Sequence, residues 1–315
     1  MNKAEYYSLL REGFLRRILR ERKENAEKTG IMRGGNSSAL YKGRVIGIDP
    51  RVTLLRYLGL EMPNDFDSYL LFDAGYANED LHSSLLKEAG AEFKCEQEVP
   101  VSYTITTKAG NEIPVTGRPD RAMIKDDKIA VIIEEKQVAS SWKAKELSHW
   151  GMGNPKPENI VQAAHYSMAH GMLPAILVYT SRSWHAMKAK KDDLCLPDHR
   201  AILGGGEWTF GAKPFMSLYD LTWKDDRLYL EGTSTVISPQ SIKDYYKYIA
   251  ECAEDKVIPN VHYSDIFGRP MTKSKVEKYY DWSHIPEDDY DEWLSLIQAE
   301  CDEAWLEVEQ ELSSF

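Results

Sequence analysis

Apolar residues recur every three or four positions along several stretches of the chain, the spacing that places side chains on one face of a helix. These stretches cover 1–30, 52–60, 68–90, 154–171 and 293–312. Glycine stands at the last position of the first, third and fourth stretches, where helices commonly stop. The pattern therefore predicts helices near both ends of the chain and three between them.

Between these helices the pattern changes to alternating or continuous apolar residues, which predicts β-strands. Strands are predicted at 99–107, 113–124 and 129–138, with a polar turn at 125–128, and a further buried strand is predicted at 175–180. Strands wrapped by helices indicate an α/β (α+β) fold in which a mixed β-sheet is flanked by helices.

The chain of 315 residues is long enough for one elaborated domain or two smaller ones. We expect one domain over 1–315, with a basic helical segment at 1–44, a core at 45–185 and a C-terminal extension at 186–315. The first segment carries 11 Lys and Arg against 5 Glu, whereas 281–315 carries 12 Asp and Glu without Lys or Arg. This asymmetry permits a local basic face despite a net charge of -11, although two solvated helix faces would also explain it.

The composition, 43% hydrophobic and 28% charged, excludes collagen-like and disordered chains. Residues 1–24 are charged throughout and lack the apolar stretch of a secretory signal. The longest uncharged run, 159–181, contains Gln162, two His and Pro174 and predicts a helix followed by a strand, not a membrane span. The four cysteines are too far apart for a metal knuckle or a disulfide framework. We therefore expect a cytoplasmic, intracellular protein without a membrane segment.

A charged cluster ends the most apolar predicted strand, where Ile133 is followed by Glu134, Glu135 and Lys136. Side chains alternate along a strand, so Glu134 and Lys136 share one face of the sheet while Glu135 points away. Asp120 precedes Glu134 by 14 residues. If the polar turn pairs the two strands, Asp120 comes alongside, and one face of the hairpin presents two carboxylates and an ammonium.

These residue types predict a site for a hard cation such as Mg²⁺ or Mn²⁺, which accepts carboxylate, carbonyl and water oxygens. A lysine beside such an ion can orient or deprotonate a water molecule and offset phosphate charge. Metal-assisted hydrolysis of a phosphodiester uses this chemistry. The alternative is a solvated hairpin end with a surface ion pair.

Gln162 and Tyr166 lie four positions apart on the helix predicted after the charged strand, and so share one face. Asp120, Glu134-x-Lys136 and Gln162-x-x-x-Tyr166, in this order and spacing, resemble the RecB-like nucleases of the PD-(D/E)XK superfamily. The sequence is similar to the CRISPR-associated and viral exonuclease members of that family. The resemblance implies a restriction-endonuclease-like catalytic core.

The resemblance extends upstream and covers about residues 37–182. Asp73–Glu79 looks like the first motif of the family, a helix with Gly75 followed four residues later by a metal-facing Glu or His. We assign Glu79 to this role, and His82, one turn later, is the alternative.

Carried over residue by residue, the resemblance implies a metal held by four groups: Glu79, Asp120, Glu134 and the backbone carbonyl of Glu135. It also implies that Lys136 acts on the attacking water.

Further residues are implied to contact or position DNA. Gln162 and Tyr166 would position DNA and support the active site, and Arg118, two residues before Asp120, would contact phosphate from the same strand face. Arg51 and Arg182 are further candidates, for which an ordinary surface or helix-end arginine is the alternative. The stretch 141–155, which contains two Trp and two Lys, could contact a single strand or form a packed loop.

Some members of the family carry an iron–sulfur cluster held by a Cys before the first motif and three Cys near the C-terminus. Here Asp49 stands at the first cysteine position, and Cys252 and Cys301 are 49 residues apart. We expect no iron–sulfur cluster, because a cubane needs four thiolates at short range. The acidic C-terminal helix is a candidate to pack in that place.

The resemblance implies a Mg²⁺- or Mn²⁺-dependent DNA exonuclease that acts in recombination, repair or viral DNA processing. Two alternatives stay open: a non-catalytic module that binds DNA ends or a partner on a nuclease scaffold, and a structure-specific endonuclease with the same chemistry. The acidic amphipathic C-terminal helix either packs on the core or binds a protein partner.

Overall fold

The computed structural model describes residues 3–64, 66–138, 155–185, 213–271 and 285–315. Within these residues the helices are α1 Lys3–Ala26, α2 Pro50–Tyr57, α3 Phe66–Glu88, α4 Pro157–Ala169, α5 Pro239–Asp255 and α6 Tyr290–Ser313. The strands are β1 Met32–Arg33, β2 Ala39–Tyr41, β3 Arg44–Ile46, β4 Phe93–Cys95, β5 Val101–Thr106, β6 Glu112–Gly117, β7 Arg121–Lys125, β8 Lys128–Val138, β9 Ala175–His185, β10 Lys213–Lys224, β11 Arg227–Leu230, β12 Thr233–Ser234, β13 Tyr263–Ser264 and β14 Pro270–Met271.

The largest sheet among the described residues has seven strands in the order β12-β11-β10-β9-β8-β7-β4. Its central pair, β8 and β9, is parallel, and the other pairs are antiparallel. Two smaller sheets, β1-β6-β5 and β14-β13-β3-β2, also combine parallel and antiparallel pairs. The expected mixed sheet flanked by helices is therefore confirmed.

Helices α3 and α4 cover opposite faces of the large sheet at β8. The side chain of Glu135 lies beside His82 of α3, while the charge of the neighbouring Glu134 raises the pKa of Tyr166 on α4. Successive side chains of a strand point to opposite faces, so β8 presents one glutamate to each of the two helices.

The predicted helices are present, but α1, α3 and α4 each end before the glycine that was expected to close them. Gly30, Gly90 and Gly171 lie beyond the helices with φ of 76°, 68° and 88°. Glycine readily adopts this left-handed conformation, which ends the preceding helix. The helix predicted at 52–60 spans Pro50–Tyr57, because Asp49 caps its N-terminus by accepting a hydrogen bond from the Arg51 amide.

The prediction of one continuous strand at 113–124 is wrong. The structure divides it into β6, which pairs with β5 and β1, and β7, which pairs with β8 and β4 in the large sheet. Residues 118–120 join the two sheets. Alternation of apolar residues continues through the joint and could not show that the chain changes sheets.

The main hydrophobic core combines buried residues from Met32 to Cys301 and includes Trp293 and Ile297 of α6. A second apolar cluster joins α1, α3 and α6 through Leu15, Tyr69 and Trp305. Helix α6 thus packs on the molecule, which agrees with the packing alternative for its apolar stripe. None of the described helices is both long and apolar enough to cross a bilayer.

Two sequence predictions fall beyond the described part of the chain. The stretch 141–155 lies outside it except for Pro155. Arg182 belongs to β9, but its side chain is outside the described residues.

Candidate active site

Strand β8 supplies two charged groups to one face of the large sheet, as the alternation predicted. Glu134 is fully buried, and its Oε1 accepts a short hydrogen bond from Nζ of the partly exposed Lys136. The other carboxylate oxygen of Glu134, Oε2, is buried and has no hydrogen-bond partner among the described residues. A buried carboxylate oxygen without a partner is costly and marks a place where a ligand could bind.

Asp120 lies beside these groups. The register of β7 and β8 pairs Arg121 with Ile133, which brings Asp120 next to Glu134. Its Oδ2 accepts a hydrogen bond of 2.6 Å from the backbone amide of Glu135. The expected convergence of Asp120, Glu134 and Lys136 at one end of the hairpin is therefore confirmed.

Glu79 approaches the same site from α3. Burial, followed by the negative charges of Asp120 and Glu135, raises the pKa of Glu79 to about 7, while Lys136 opposes the shift. A coupling of this kind requires that the carboxylates lie near one another. The fourth turn of α3 therefore brings Glu79 to the cluster.

The acid cluster, which we define as Glu79, Asp120 and Glu134, is short of positive charge. Burial and the charge of Asp120 raise the pKa of Glu134 to about 8, although Lys136 works against the shift. Burial also raises the pKa of Asp120. Burial lowers the pKa of Lys136, but Glu134 and Asp120 outweigh it and the net shift is upward. One ammonium thus does not balance three carboxyl groups, of which Glu134 is buried and the other two are partly buried.

Within the described ranges, no three His, Cys, Asp or Glu side chains are arranged to hold a metal ion as they stand. Two of the carboxylates are engaged within the protein, since Lys136 contacts one oxygen of Glu134 and the Glu135 amide contacts one oxygen of Asp120. The donor chemistry nevertheless fits a hard divalent cation: the groups are carboxylates, and Glu134 keeps one unpartnered oxygen.

Glu135 points to the other face of the sheet and forms a buried tie between β7, β8 and α3. Its Oε1 accepts a short hydrogen bond from Arg121, and its Oε2 lies 2.7 Å from Nδ1 of His82. Arg121 also donates to the backbone oxygen of Glu79 at 3.0 Å and to Oγ of Ser83 at 2.9 Å. The tie fixes the turn of α3 that carries Glu79.

This geometry corrects the sequence analysis at two residues. His82 is not an alternative to Glu79 at the acid cluster, because its ring faces the carboxylate of Glu135 on the opposite side of the strand. Arg121 was missed. The register places it opposite Ile133 of β8, and its guanidinium reaches Glu135 on the face opposite to Glu134. A buried arginine cannot be distinguished from a surface arginine by pattern alone.

Gln162 and Tyr166 share one face of α4, as predicted, and Nε2 of Gln162 lies 3.2 Å from the Tyr166 hydroxyl. Tyr166 is only 2% exposed, so it supports the site from behind, and its part in positioning DNA stays a prediction. Burial, and then the charge of Glu134, raises the pKa of its hydroxyl.

A buried polar group behind Tyr166 fixes α4 further. Oγ of Ser37 lies 2.7 Å from Nδ1 of His165 and 2.8 Å from the hydroxyl of Tyr246. Burial lowers the pKa of His165 to about 3, so that its ring is neutral at physiological pH. These contacts, which the sequence analysis also missed, join the loop before β2 to α4 and α5.

Arg118 is exposed and lies in the joint between β6 and β7, outside any strand. The expectation that it shares a strand face with Asp120 is therefore wrong, because strand alternation does not apply at the joint. Its side chain remains accessible beside the site.

Arg51 is fully buried, which contradicts the phosphate-contact and surface interpretations, whereas its place in the first turn of α2 agrees with the helix-end alternative. Its guanidinium donates to Asp49 at 3.0 and 2.6 Å and makes a short contact with Glu287. Two carboxylates thus occupy the group, and it ties the start of α2 to the segment before α6.

A cleft of about 830 Å³ opens beside Lys136 and Gln162. Its walls come from α1, α2, α4, α6 and residues 59–64, and they carry both signs of charge, including Arg22 and Glu61. The helices at both ends of the chain therefore shape the access to one side of the acid cluster.

No protein-family model matches the chain, and no curated protein sequence matches it. Among solved structures, the chain is similar to one titled "Crystal structure of SSO0001", with 18% sequence identity, coverage of 56% of this chain and 75% of that chain, and a TM-score of 0.37.

Proposed function

We propose that this protein hydrolyses phosphodiester bonds in DNA from an end, with the help of Mg²⁺ or Mn²⁺. The observation that carries the proposal is the convergence of Glu79, Asp120, Glu134 and Lys136, in which a buried oxygen of Glu134 has no partner in the part of the chain that the structure describes. On this proposal the large sheet with α3 and α4 is a PD-(D/E)XK core, as the resemblance to RecB-like nucleases implies.

Glu79, Asp120 and Glu134, with the backbone carbonyl of Glu135, would hold the cation. When bound, such an ion stabilises the negative charge that develops on phosphoryl oxygens and lowers the pKa of water. Because Glu134 has a pKa of about 8 in the metal-free protein, binding would release a proton from this carboxyl group.

Lys136 has two roles in the proposed reaction. Its Nζ bonds Glu134 and holds that carboxylate in place. Its partly exposed ammonium can also orient the attacking water and offset the charge of the scissile phosphate. Gln162, on the same side of the sheet and beside the cleft, would position the substrate.

One observation favours the non-catalytic alternative. The carboxylates of Asp120 and Glu134 are each engaged within the protein, by the Glu135 amide and by Lys136. A module that only binds DNA ends or a partner would need no cation, and its DNA binding would persist in EDTA.

Cleavage of end-labelled single- and double-stranded DNA in the presence of Mn²⁺ tests the proposal. We expect Lys136→Ala to reduce the rate by about 10²- to 10⁴-fold, the usual contribution of a positioned proton-transfer group. Lys125→Ala, at the exposed opposite end of the same hairpin, is the matched control and should cleave at the wild-type rate.

Intact DNA with the wild-type protein, or equal cleavage by wild type and Lys136→Ala, would reject the enzymatic proposal. Closed circular DNA separates the remaining alternatives, because an exonuclease needs an end and an endonuclease does not.

A further inference from the structure

Aromatic side chains form a row along α3 that leads to the acid cluster. Tyr69, Phe72 and Tyr76 stand three and four positions apart, and Glu79 follows three positions later. Residues with this spacing lie on one face of a helix. We define Tyr69, Phe72 and Tyr76 as the aromatic row.

The exposure of the aromatic row increases toward the acid cluster. Tyr69 is buried against Phe14 of α1, with ring centres 5.2 Å apart, and its hydroxyl bonds Glu21. Phe72 packs edge-on against Tyr69, with ring centres 6.0 Å apart, but remains 49% exposed, and Tyr76 is 55% exposed. The buried end anchors the row, and the open end presents two rings to solvent.

The open end of the row lies next to Glu79. Burial, and then the negative charges of Glu96 and Glu79, raises the pKa of the Tyr76 hydroxyl. Tyr76 thus lies within electrostatic range of Glu79 and precedes Glu79 by about one helical turn. A polymer that placed a phosphate at the cluster would pass over this ring.

A cation of α1, Arg17, reaches the buried end of the row, where it is paired with Glu21 and Asp73. The guanidinium of Arg17 lies 5.0 Å from the centre of the Tyr69 ring and 2.9 Å from Asp73. Residues 1–44, which include α1, carry a net charge of +6, from 11 Lys and Arg against 5 Glu. Single-strand binding surfaces combine positive charge along the backbone with aromatic rings on which bases stack.

We propose, on the basis of the proposed function, that the unpaired bases of a DNA end stack on Phe72 and Tyr76 while the DNA backbone reaches the acid cluster. Interior bases of a duplex are stacked on both faces and only the outer face of its terminal pair is open, so a paired end cannot cover both rings in succession. The row therefore selects single-stranded over paired ends.

The other exposed apolar residues of α3 provide a matched control. Leu85 is 43% exposed and stands nine positions after Tyr76, which places it on the opposite side of the helix. A general loss of helix packing would affect variants on both sides, whereas loss of base stacking would affect only Phe72 and Tyr76.

Fluorescence anisotropy of a labelled 12-residue oligo(dT), with Ca²⁺ and in the Lys136→Ala background, measures binding without cleavage. Stacking contributes about 1–3 kcal/mol per base, so we expect Phe72→Ala and Tyr76→Ala each to raise Kd by about 5- to 150-fold. Tyr76→Trp should retain binding, and Leu85→Ala should leave Kd unchanged. Binding of a blunt DNA hairpin should be the same in all variants.

Unchanged oligo(dT) affinity in Phe72→Ala and Tyr76→Ala overturns the inference, as does an equal loss for the blunt hairpin, or an absence of saturable oligo(dT) binding in every variant. Cleavage by the wild-type protein under those results would leave the proposed hydrolysis intact. Conversely, selective loss of oligo(dT) binding without wild-type cleavage would support the stacking surface and reject the nuclease.

Discussion

Tyr166 is enclosed by two glycines that approach its ring from different parts of the chain. A Cβ atom placed on Gly117 would lie 2.6 Å from Cε1 of Tyr166 and 3.2 Å from the Cα of Gly34. A Cβ on Gly34 would meet the same ring carbon at 2.6 Å. The absence of a side chain at both positions therefore permits the buried tyrosine to sit behind Glu134.

We expect Gly117→Ala to displace Tyr166 and to lower the free energy of unfolding by about 1–3 kcal/mol, the usual cost of overpacking. The proposed DNA cleavage should fall as well, because Tyr166 bonds Gln162. Gly13→Ala in α1, where nothing lies within 4 Å, is the control and should be neutral or slightly stabilising. Urea unfolding of both variants checks this, and wild-type stability in Gly117→Ala would contradict it.

The raised pKa values of Glu79 and Glu134, about 7 and 8 against an ordinary 4.5, make stability depend on pH. The folded metal-free protein keeps these protons to a higher pH than the unfolded chain does. Their stabilising contribution is therefore complete below pH 4.5 and is lost as the pH rises through 7 and 8.

Urea titrations in EDTA across pH 5 to 9 would measure this loss as a falling free energy of unfolding. In Glu134→Gln the fall should be shallower, because the amide does not titrate. Identical pH profiles for wild type and Glu134→Gln would contradict the assignment.

At this scale the sequence predicted the acidic residues and lysine of the site but not all their neighbours. Glu134 and Lys136 were found because strand alternation assigns them to one face. Arg121, Ser37 and His165 were not, because their roles depend on partners 14, 128 or more residues distant along the chain. No local pattern carries that information.

Helix α3 owes its position on the sheet to the buried tie between Arg121, Glu135 and His82. The guanidinium of Arg121 also lies 5.4 Å from the centre of the Phe93 ring on β4. One side chain thus connects α3 with three strands of the large sheet.

We expect Arg121→Met to cost about 3–5 kcal/mol of stability, since it leaves the carboxylate of Glu135 buried without its cation. Adding Glu135→Gln should restore part of this loss, because the uncompensated charge is removed. Denaturant unfolding of the single and double variants measures both effects. A double variant less stable than Arg121→Met would show that the cost does not arise from the buried charge.

Long elements were predicted well and short ones poorly. Helices α3 and α4 and strand β8 have enough residues for a period to be visible. The strands β1 and β13 have two residues each, and they pair with β6 and β3, which are distant along the chain. The division between β6 and β7 was missed for the same reason.

For the molecule as a whole, α1 and α6 form one wall of the cleft and hold it through apolar contacts. Trp305 is buried, and its Nε1 donates to the backbone oxygen of Glu61 at 2.8 Å. The guanidinium of Arg22 lies over the Trp305 ring, 4.7 Å from the ring centre. The ion pairs Arg11–Glu311 and Arg22–Glu309 are largely exposed and are screened by solvent. Burial of apolar surface therefore dominates this contact.

Trp305→Ala should lower stability by about 3–5 kcal/mol, the usual cost of removing a buried indole. Leu306→Ala, at the next position but 52% exposed, is the control and should have little effect. Thermal unfolding of both variants, at low and high salt, checks the prediction. A large effect of salt together with a small effect of Trp305→Ala would show that the ion pairs dominate instead.

The joint at 118–120 has a mechanical consequence for the whole molecule. Asp120 lies where the chain passes from the small sheet β1-β6-β5 to the large sheet, and the buried Pro119 precedes it. A torque that turned the small sheet on its larger neighbour would pull Asp120 away from Glu134 while every strand ladder stayed intact. The alignment of the acid cluster would then be lost before the fold is.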